Sequence, residues 1–361
     1  MQRVNIKDLT RQELEHIITD LGEPGYRAQQ IWDWLYRKYM FSFANMSNLP
    51  PGLRKRLADK TFISWPRLLK RQEAEDTIKY LLQLRDGQGI ETVLMRYRSW
   101  HSLCLSTQVG CAMACKFCAS TRGGKLRDLS TAEMLDQVLF VQRELNSKGD
   151  KPITRVVLMG MGEPLDNYEN VIKFIYILHD PDGLNMGFRR ITISTCGLVP
   201  GIMKLTQEGI PVNLAVSLHA PDNKLRDKIM PINKRYPLEK LLKACREYEE
   251  VIGRRITLEY TLIAGMNDSL KHAEELTRLL DNLSCHINII PLNPIPGCDY
   301  RPSSPKTTTG FVNYLRARGM SVTQRREMGQ SITAACGQLR LVRGKGGRID
   351  NSEGQGNDYL G

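Results

Sequence analysis

Long apolar runs are missing from this 361-residue chain: no stretch approaches the roughly 20 consecutive apolar residues that span a bilayer. The first residues, "MQRVNIKDLTRQELEHI", also lack the short apolar core of a secretory signal. Both absences predict a cytoplasmic protein with no membrane partner. Acid is scarce relative to base, 39 Asp and Glu against 51 Lys and Arg, for a formal charge of +12. A positive field of that size favours a polyanion, nucleic acid first, although a merely soluble basic protein has the same balance. An even set of cysteines is missing too. Nine cannot all pair, and in a reducing compartment closely spaced thiols read as metal ligands or redox groups before they read as bridges.

Hydrophobic residues make up 41% of the chain, enough for a substantial core, and the length suits one α/β barrel with an appendage or two ordinary domains. Residues 1 to about 75 read as helical. "TRQELEHIITDLG" offers Thr10 as N-cap, apolar Leu14, Ile17, Ile18 and Leu21 at helical spacing, and a stop at Gly22. "YRAQQIWDWLYRKYM" sets Ile31, Trp34 and Leu35 on one face, and "LPPGLRKRLADKTF" predicts a third, basic helix. The bundle would present Lys and Arg outward, as a nucleic-acid surface or as ordinary solvated helix faces. From Thr77 the pattern alternates, predicting a hairpin turned at Asp86-Gly87 within a connecting segment 76–100.

Between 101 and 325 six strand patterns, "LCLSTQ", "TRVVLMG", "RRITIST", "VNLAVSL", "RITLEYTLI" and "HINIIPL", alternate with helical ones. Such βα repeats predict a parallel barrel, full or partial, with function at the C-terminal ends of its strands. Residues 326–343 then form a C-terminal loop, and the Gly-rich, polar 344–361 is predicted to be a disordered tail.

The chemistry starts at "GCAMACKFCAS", with Cys111, Cys115 and Cys118 at spacings of four and three. A structural zinc site wants four ligands, and Cys104, the nearest fourth thiol, falls within a predicted strand. The P-C-x-x-C half of the H-x-E and P-C-x-x-C signature of zinc-dependent nucleobase deaminases is absent. Three cysteines and an open coordination position suit a [4Fe–4S] cluster that binds something at its fourth iron. C-x-x-x-C-x-aromatic-C, with Phe117 before the last cysteine and a strand before the first, resembles the cluster motif of the radical S-adenosylmethionine (SAM) enzymes. The resemblance implies an α/β fold, a partial (β/α)6 radical SAM barrel with a small N-terminal helical accessory domain and a connecting β-hairpin. It further implies SAM on the open iron, cleaved by one electron to a 5′-deoxyadenosyl radical.

The strand ends supply candidate SAM contacts: Gly160, Gly162 and Glu163 in "MGMGEPL", Ser194 in "ISTCG", Ser217, Leu218 and His219 in "VSLHA", and Asn293 in "PLNP". Each alone reads equally as a polar strand end satisfied by backbone; together they mark one barrel face. With "IETV" from Ile90, "CLSTQVGC" from Cys104, "IMPINKRYPL" and "AACGQL", the sequence resembles, over nearly its whole length, the bacterial radical SAM enzymes that methylate carbon-2 of adenine in ribosomal and transfer RNA.

That resemblance implies Cys336 as methyl carrier, Glu91 as base and Cys104 as the thiol that closes a transient disulfide with Cys336. It implies two SAM per turnover, 23S ribosomal RNA and transfer RNA as substrates, an electron donor such as flavodoxin with its reductase, and a monomer. Ser331 and Thr333 stand where acidic residues are expected in many such enzymes. The sibling branch that methylates carbon-8 shares the cluster, carrier and base; Pro164, "STCGLVPG" and "NPIPG" favour carbon-2. An RNA-binding protein with a structural cluster would need no open iron, and an activase for a partner enzyme would have no use for Cys336 or Glu91.

Overall fold

The computed structural model describes residues 3–295, 297–325, 328–329, 332 and 337–339. Cys336, Ser331, Thr333 and the tail from 344 lie outside the described residues. The chain opens with strand β1 (Val4–Asn5) and helices α1 (Arg11–Asp20), α2 (Tyr26–Tyr36) and α3 (Pro51–Lys60). Thr10 caps α1 in a full capping box with Glu13, and Gly22, at φ 75°, follows its end. On α2 the buried aromatic is Trp32, packed edge-on against Tyr36 at 4.4 Å, while the expected Trp34 is half-buried and donates to Asn48.

Helical reading fails after residue 60. β2 (Thr61–Phe62) pairs parallel with β1, and β3 (Arg67–Ala74) is a strand. β3 was missed because its side chains, "RLLKRQEA", are mostly polar and half-exposed, the mark of an outer strand. With β4 (Thr77–Gln83) and β5 (Gly89–Arg96) it forms an antiparallel meander, turned at Gly87 with φ 87° as the sequence predicts. β6 (His101–Cys104) pairs antiparallel with β5 and starts the parallel part. A small ribbon, β7 (Gln108–Gly110) with β8 (Lys125–Asp128), brackets the cysteine loop.

The βα units follow: α4 (Thr131–Ser147), β9 (Ile153–Leu158), α5 (Tyr168–His179), β10 (Ile191–Thr195), α6 (Val199–Glu208), β11 (Asn213–Ser217), α7 (Asn223–Ile229), α8 (Leu238–Ile252), β12 (Ile256–Leu262), α9 (Leu270–Leu279), β13 (Cys285–Pro291), α10 (Pro305–Ala317) and β14 (Val322–Gln324). They make one ten-stranded sheet, β14-β13-β12-β11-β10-β9-β6-β5-β4-β3, parallel from β6 through β14. Its end strands β14 and β3 do not pair with each other, so the barrel is open. The six expected strands are all present and parallel, and their C-terminal ends gather at one edge.

The N-terminal helices are not a detachable module. Ile6, Leu14, Ile31, Trp32 and Leu57 share one continuous core with Leu139 and Phe174 of the barrel helices. The fully buried Lys7 ammonium meets Asp136 of α4 and donates to the Ser64 carbonyl at 2.6 Å, and Asp8 accepts the Ala132 N–H at 2.7 Å. Of the basic groups expected to face solvent, Arg11, Arg27, Arg37 and Arg56 are engaged by carboxylates of their own surface. Burial pushes the Asp136 carboxyl up, and Lys7 opposes that push. Removing the ammonium in Lys7→Met would strand a buried carboxylate; urea unfolding should show a loss of about 3–5 kcal/mol.

Candidate active site

Gly110, which ends β7, has φ 81°, and a Cβ there would stand 1.9 Å from the Gly124 carbonyl oxygen. Cys111 N–H donates to that oxygen at 3.1 Å, so the ribbon pins the base of the cysteine loop. The loop then turns through Ala114 at φ 56°. Thr121 Oγ1 donates to the carbonyls of Cys118 at 2.9 Å and Cys115 at 3.2 Å. Lys116 N–H reaches the Ile229 carbonyl at 3.0 Å, tying the loop to the end of α7. Cys111, Cys115 and Cys118 consequently line one cavity, above the C-terminal ends of the strands.

Among the described residues no three His, Cys, Asp or Glu side chains gather as a single metal ion would require. Three thiols spread around one rim suit the larger frame of an iron–sulfur cluster instead. An apolar collar that includes Met113, Phe117, Met230 and Leu292 surrounds them. Burial pushes the Cys111 thiol up to about 12, and Cys115 shifts the same way. Three soft thiol donors on one short loop, facing a common cavity, fit the cluster.

Opposite the loop, the strand ends present the expected polar groups. Glu163 is buried; its carboxylate accepts the Cys196 N–H at 2.7 Å and the Leu165 N–H at 3.1 Å. Burial pushes its carboxyl up, against those hydrogen bonds. Ser194, Ser217, His219 and Asn293 also line the cavity. His219, at φ 56°, accepts the Thr261 N–H on Nδ1 at 2.9 Å, leaving the ring proton on Nε2. Burial, reinforced by Arg226, lowers its pKa to about 3, so the imidazole is neutral.

One expectation needs correction. Leu218, the residue after β11, does not line the cavity; its side chain faces away from Ser217 and lies in the main core. Gly160 and Gly162 do line it, and close packing of chain on chain is a second reason for them to be glycine. A Cβ on Gly160 would come within 2.7 Å of the Leu105 backbone, and one on Gly162, at φ 110°, within 2.7 Å of Thr107 and Gln108.

Sequence reasoning also missed two residues. Arg226 on α7, fully buried, donates to the carbonyls of Cys196 (2.8 Å), Ser217 (3.0 Å) and Leu218 (3.1 Å) and to Asn233 Oδ1 (3.0 Å). Among basic neighbours it reads as a surface arginine. Glu259 on β12 lines the cavity and accepts from Asn288 at 2.9 Å. A lone carboxylate inside the apolar "RITLEYTLI" was the signal that could have found it.

Glu91 and Cys104 do not line this cavity. They lie on the sheet face beside it, Glu91 2.9 Å from Lys79 Nζ and Cys104 in an apolar patch with Val93, Met95, Met161 and Leu339. Met328 and Ile332 pack on that patch too. Gly337 lines the cavity, its carbonyl accepting the Ala119 N–H at 2.7 Å, and Ser120 Oγ donates to the Leu339 carbonyl at 2.6 Å. Described residues on both sides of Cys336 are thus anchored beside these two regions.

Gly110→Ala should bind roughly threefold less iron or worse on anaerobic reconstitution, because its Cβ would force the loop off Gly124; iron and sulfide analysis checks this. His219 has a folded-state pKa below its unfolded one, so the unfolded chain takes up the proton first. Its contribution to stability is present above pH about 6.5 and is lost as pH falls toward about 3. Urea unfolding across that range should show the decline, and His219→Gln should flatten it.

The family model "Radical SAM superfamily" matches residues 105–279, and the model "Ribosomal RNA large subunit methyltransferase N-terminal domain" matches residues 4–63. A "Probable dual-specificity RNA methyltransferase RlmN" of Desulforamulus reducens is 48% identical over 340 residues, 94% of this chain and 96% of the relative. A protein of the same name from Geobacillus kaustophilus is 47% identical, over 93% of this chain and 92% of its own length. The crystal structure of a radical SAM methyltransferase from Sphaerobacter thermophilus superimposes with a TM-score of 0.90 at 46% identity, covering 93% of this chain and 99% of that one. By its cysteine loop, its open barrel and these relatives, the chain belongs to the RlmN family of radical SAM RNA methyltransferases.

Proposed function

We propose that the enzyme methylates carbon-2 of an adenosine in the peptidyl transferase centre of 23S ribosomal RNA, and of the adenosine 3′ of the anticodon in transfer RNA. The methyl would pass through S-methylated Cys336. Carbon-2 of adenine is an electron-poor amidine carbon with no lone pair, so it cannot displace a methyl from SAM as an amine does. A carrier thiol, loaded first and activated afterwards, answers that difficulty. The observation that carries this reading is the seating of Ile332, Gly337 and Leu339: together they adjoin the cysteine-lined cavity on one side and the Cys104 patch on the other.

A [4Fe–4S] cluster on Cys111, Cys115 and Cys118, with SAM at its open iron, would supply the 5′-deoxyadenosyl radical. The chain does the rest. Glu163 would accept hydrogen bonds from the SAM ammonium, with its own position held by the Cys196 and Leu165 N–H groups. Ser194, Ser217, His219 through its Nε2–H, and Asn293 would orient the remainder of SAM. The Met113, Phe117, Met230 and Leu292 collar keeps water from a reactive centre.

Cys336 would carry the methyl, which would give up a hydrogen atom to the deoxyadenosyl radical and bond as a methylene to carbon-2, with one electron returned to the electron carrier. Glu91 would take the carbon-2 proton, and the Cys104 thiolate would attack Cys336 sulfur, closing a disulfide as the sulfur–carbon bond breaks; its electron pair stays on the methylene carbon, which takes up a proton to become the methyl. An electron donor of the flavodoxin type, a monomeric chain and a cytoplasmic location complete the proposal.

The test is an anaerobic reaction of reconstituted protein with SAM, reductant and protein-free large-subunit ribosomal RNA, and separately with transfer RNA, followed by nucleoside mass spectrometry. The expected product is 2-methyladenosine from each RNA, reduced about a hundredfold or more in Cys336→Ala. 8-Methyladenosine would move the enzyme to the carbon-8 reaction, and no methylated adenosine would refute the proposed substrates.

A further inference from the structure

We propose that Lys79 is a positioning residue for Glu91: its buried side chain, in contact with the carboxylate, aims it along the sheet face that carries Cys104. This rests on the reading of Glu91 as the base for the carbon-2 proton. Lys79 sits mid-strand in β4 and is only 7% exposed, and Glu91, on β5, is 5% exposed. Their side chains meet at 2.9 Å.

The register explains the meeting. Lys79 faces Val93 across β4 and β5, and Val93 in turn faces Cys104 across β5 and β6. Side chains alternate along a strand, so Lys79, Glu91, Val93 and Cys104 project from one face, with Lys79 and Glu91 diagonal neighbours. Beside Cys104 that face carries an apolar cluster of Val93, Met95 and Met161, with Met328, Ile332 and Leu339 packed against it. The backbone beneath Glu91 is fixed as well. Its carbonyl accepts from Ser106 Oγ at 2.6 Å, and Ser106 Oγ accepts the Met161 N–H at 3.0 Å. Only the side chain is left to be aimed.

An ion pair so placed is a poor device for stability, since apolar residues of similar volume serve a fold as well or better. It is a good device for a base. The contact fixes where the carboxylate sits, which is what a base that must reach one carbon-bound proton requires. In the step served, the C2–H bond of the RNA adduct breaks, its electron pair stays in the base, and the proton passes to a Glu91 oxygen.

The test uses cluster-loaded full-length protein in a single anaerobic turnover with ribosomal RNA. It reads the covalent protein–RNA adduct on a denaturing gel, the 5′-deoxyadenosine formed per methyladenosine, and S-methylation of Cys336. Glu91→Gln and Lys79→Met are both expected to accumulate adduct and to raise the 5′-deoxyadenosine ratio about tenfold or more, with Cys336 methylated as in wild type. Lys79→Arg, which keeps the charge, should restore most of the release. Should Lys79→Met fail to fold, Lys79→Gln carries the same expectations. A neutral variant that releases product like wild type overturns the proposal. So does one that loses Cys336 methylation and SAM cleavage together without adduct, because that is a merely structural role. If Glu91→Gln itself traps nothing, Glu91 is not the base and both readings fall; if it traps adduct and the Lys79 variants do not, only the role of Lys79 is refuted.

Discussion

The site depends on one buried guanidinium. Arg226 reaches from α7 to the carbonyls that follow β10 and β11, and those turns carry the residues beside Ser194, Ser217 and His219. Carbonyls at and just past the last ladder pairs of these strands need another donor. A planar fork with five donors meets several at once, where an ammonium, a point charge, would hold them less firmly. The same helix ends at Ile229, whose carbonyl takes the Lys116 N–H of the cysteine loop. One short helix thus sets the distance between the thiols and the groups that face them.

Beside that cavity lies a second region with different chemistry: a sheet face that carries the Lys79–Glu91 pair and Cys104 beside an apolar cluster. The separation is what a methylation in stages asks for. A radical source must be dry and closed, whereas a resolving thiol and a base must meet a substrate as bulky as RNA. Ile332, Gly337 and Leu339 adjoin both regions, and the covalent chain between them carries the cysteine proposed as shuttle.

Much of this was legible in the sequence, and the physics says why. The six parallel strands announced themselves as apolar runs because both faces of a βα sheet are covered. That the three cysteines share one cavity was legible from their close spacing, and that Glu163, Ser194, Ser217, His219 and Asn293 line it from their common place as polar residues at the ends of apolar strands. β3 was not legible, since an outer strand half in solvent carries no alternation. Arg226 and Lys79 were not legible either: a buried cation looks like a surface one until its partners, tens of residues away or on the next strand, are seen. Leu218 erred the other way, carried along by its neighbours. The helices of the first 60 residues were read correctly as helices, but their attachment through Lys7 and Asp136 lies 129 positions apart in the chain and only the fold shows it.

The account turns on Cys336 being the thiol that first receives the methyl, apart from the three that line the cavity. Its most direct test is peptide mapping by mass spectrometry after the cluster-loaded protein has turned over with methyl-deuterated SAM in the absence of RNA. The label is predicted on the peptide that contains Cys336, and on none of the peptides bearing Cys104, Cys111, Cys115 or Cys118. A protein that methylates RNA while its Cys336 stays unlabelled would contradict the account.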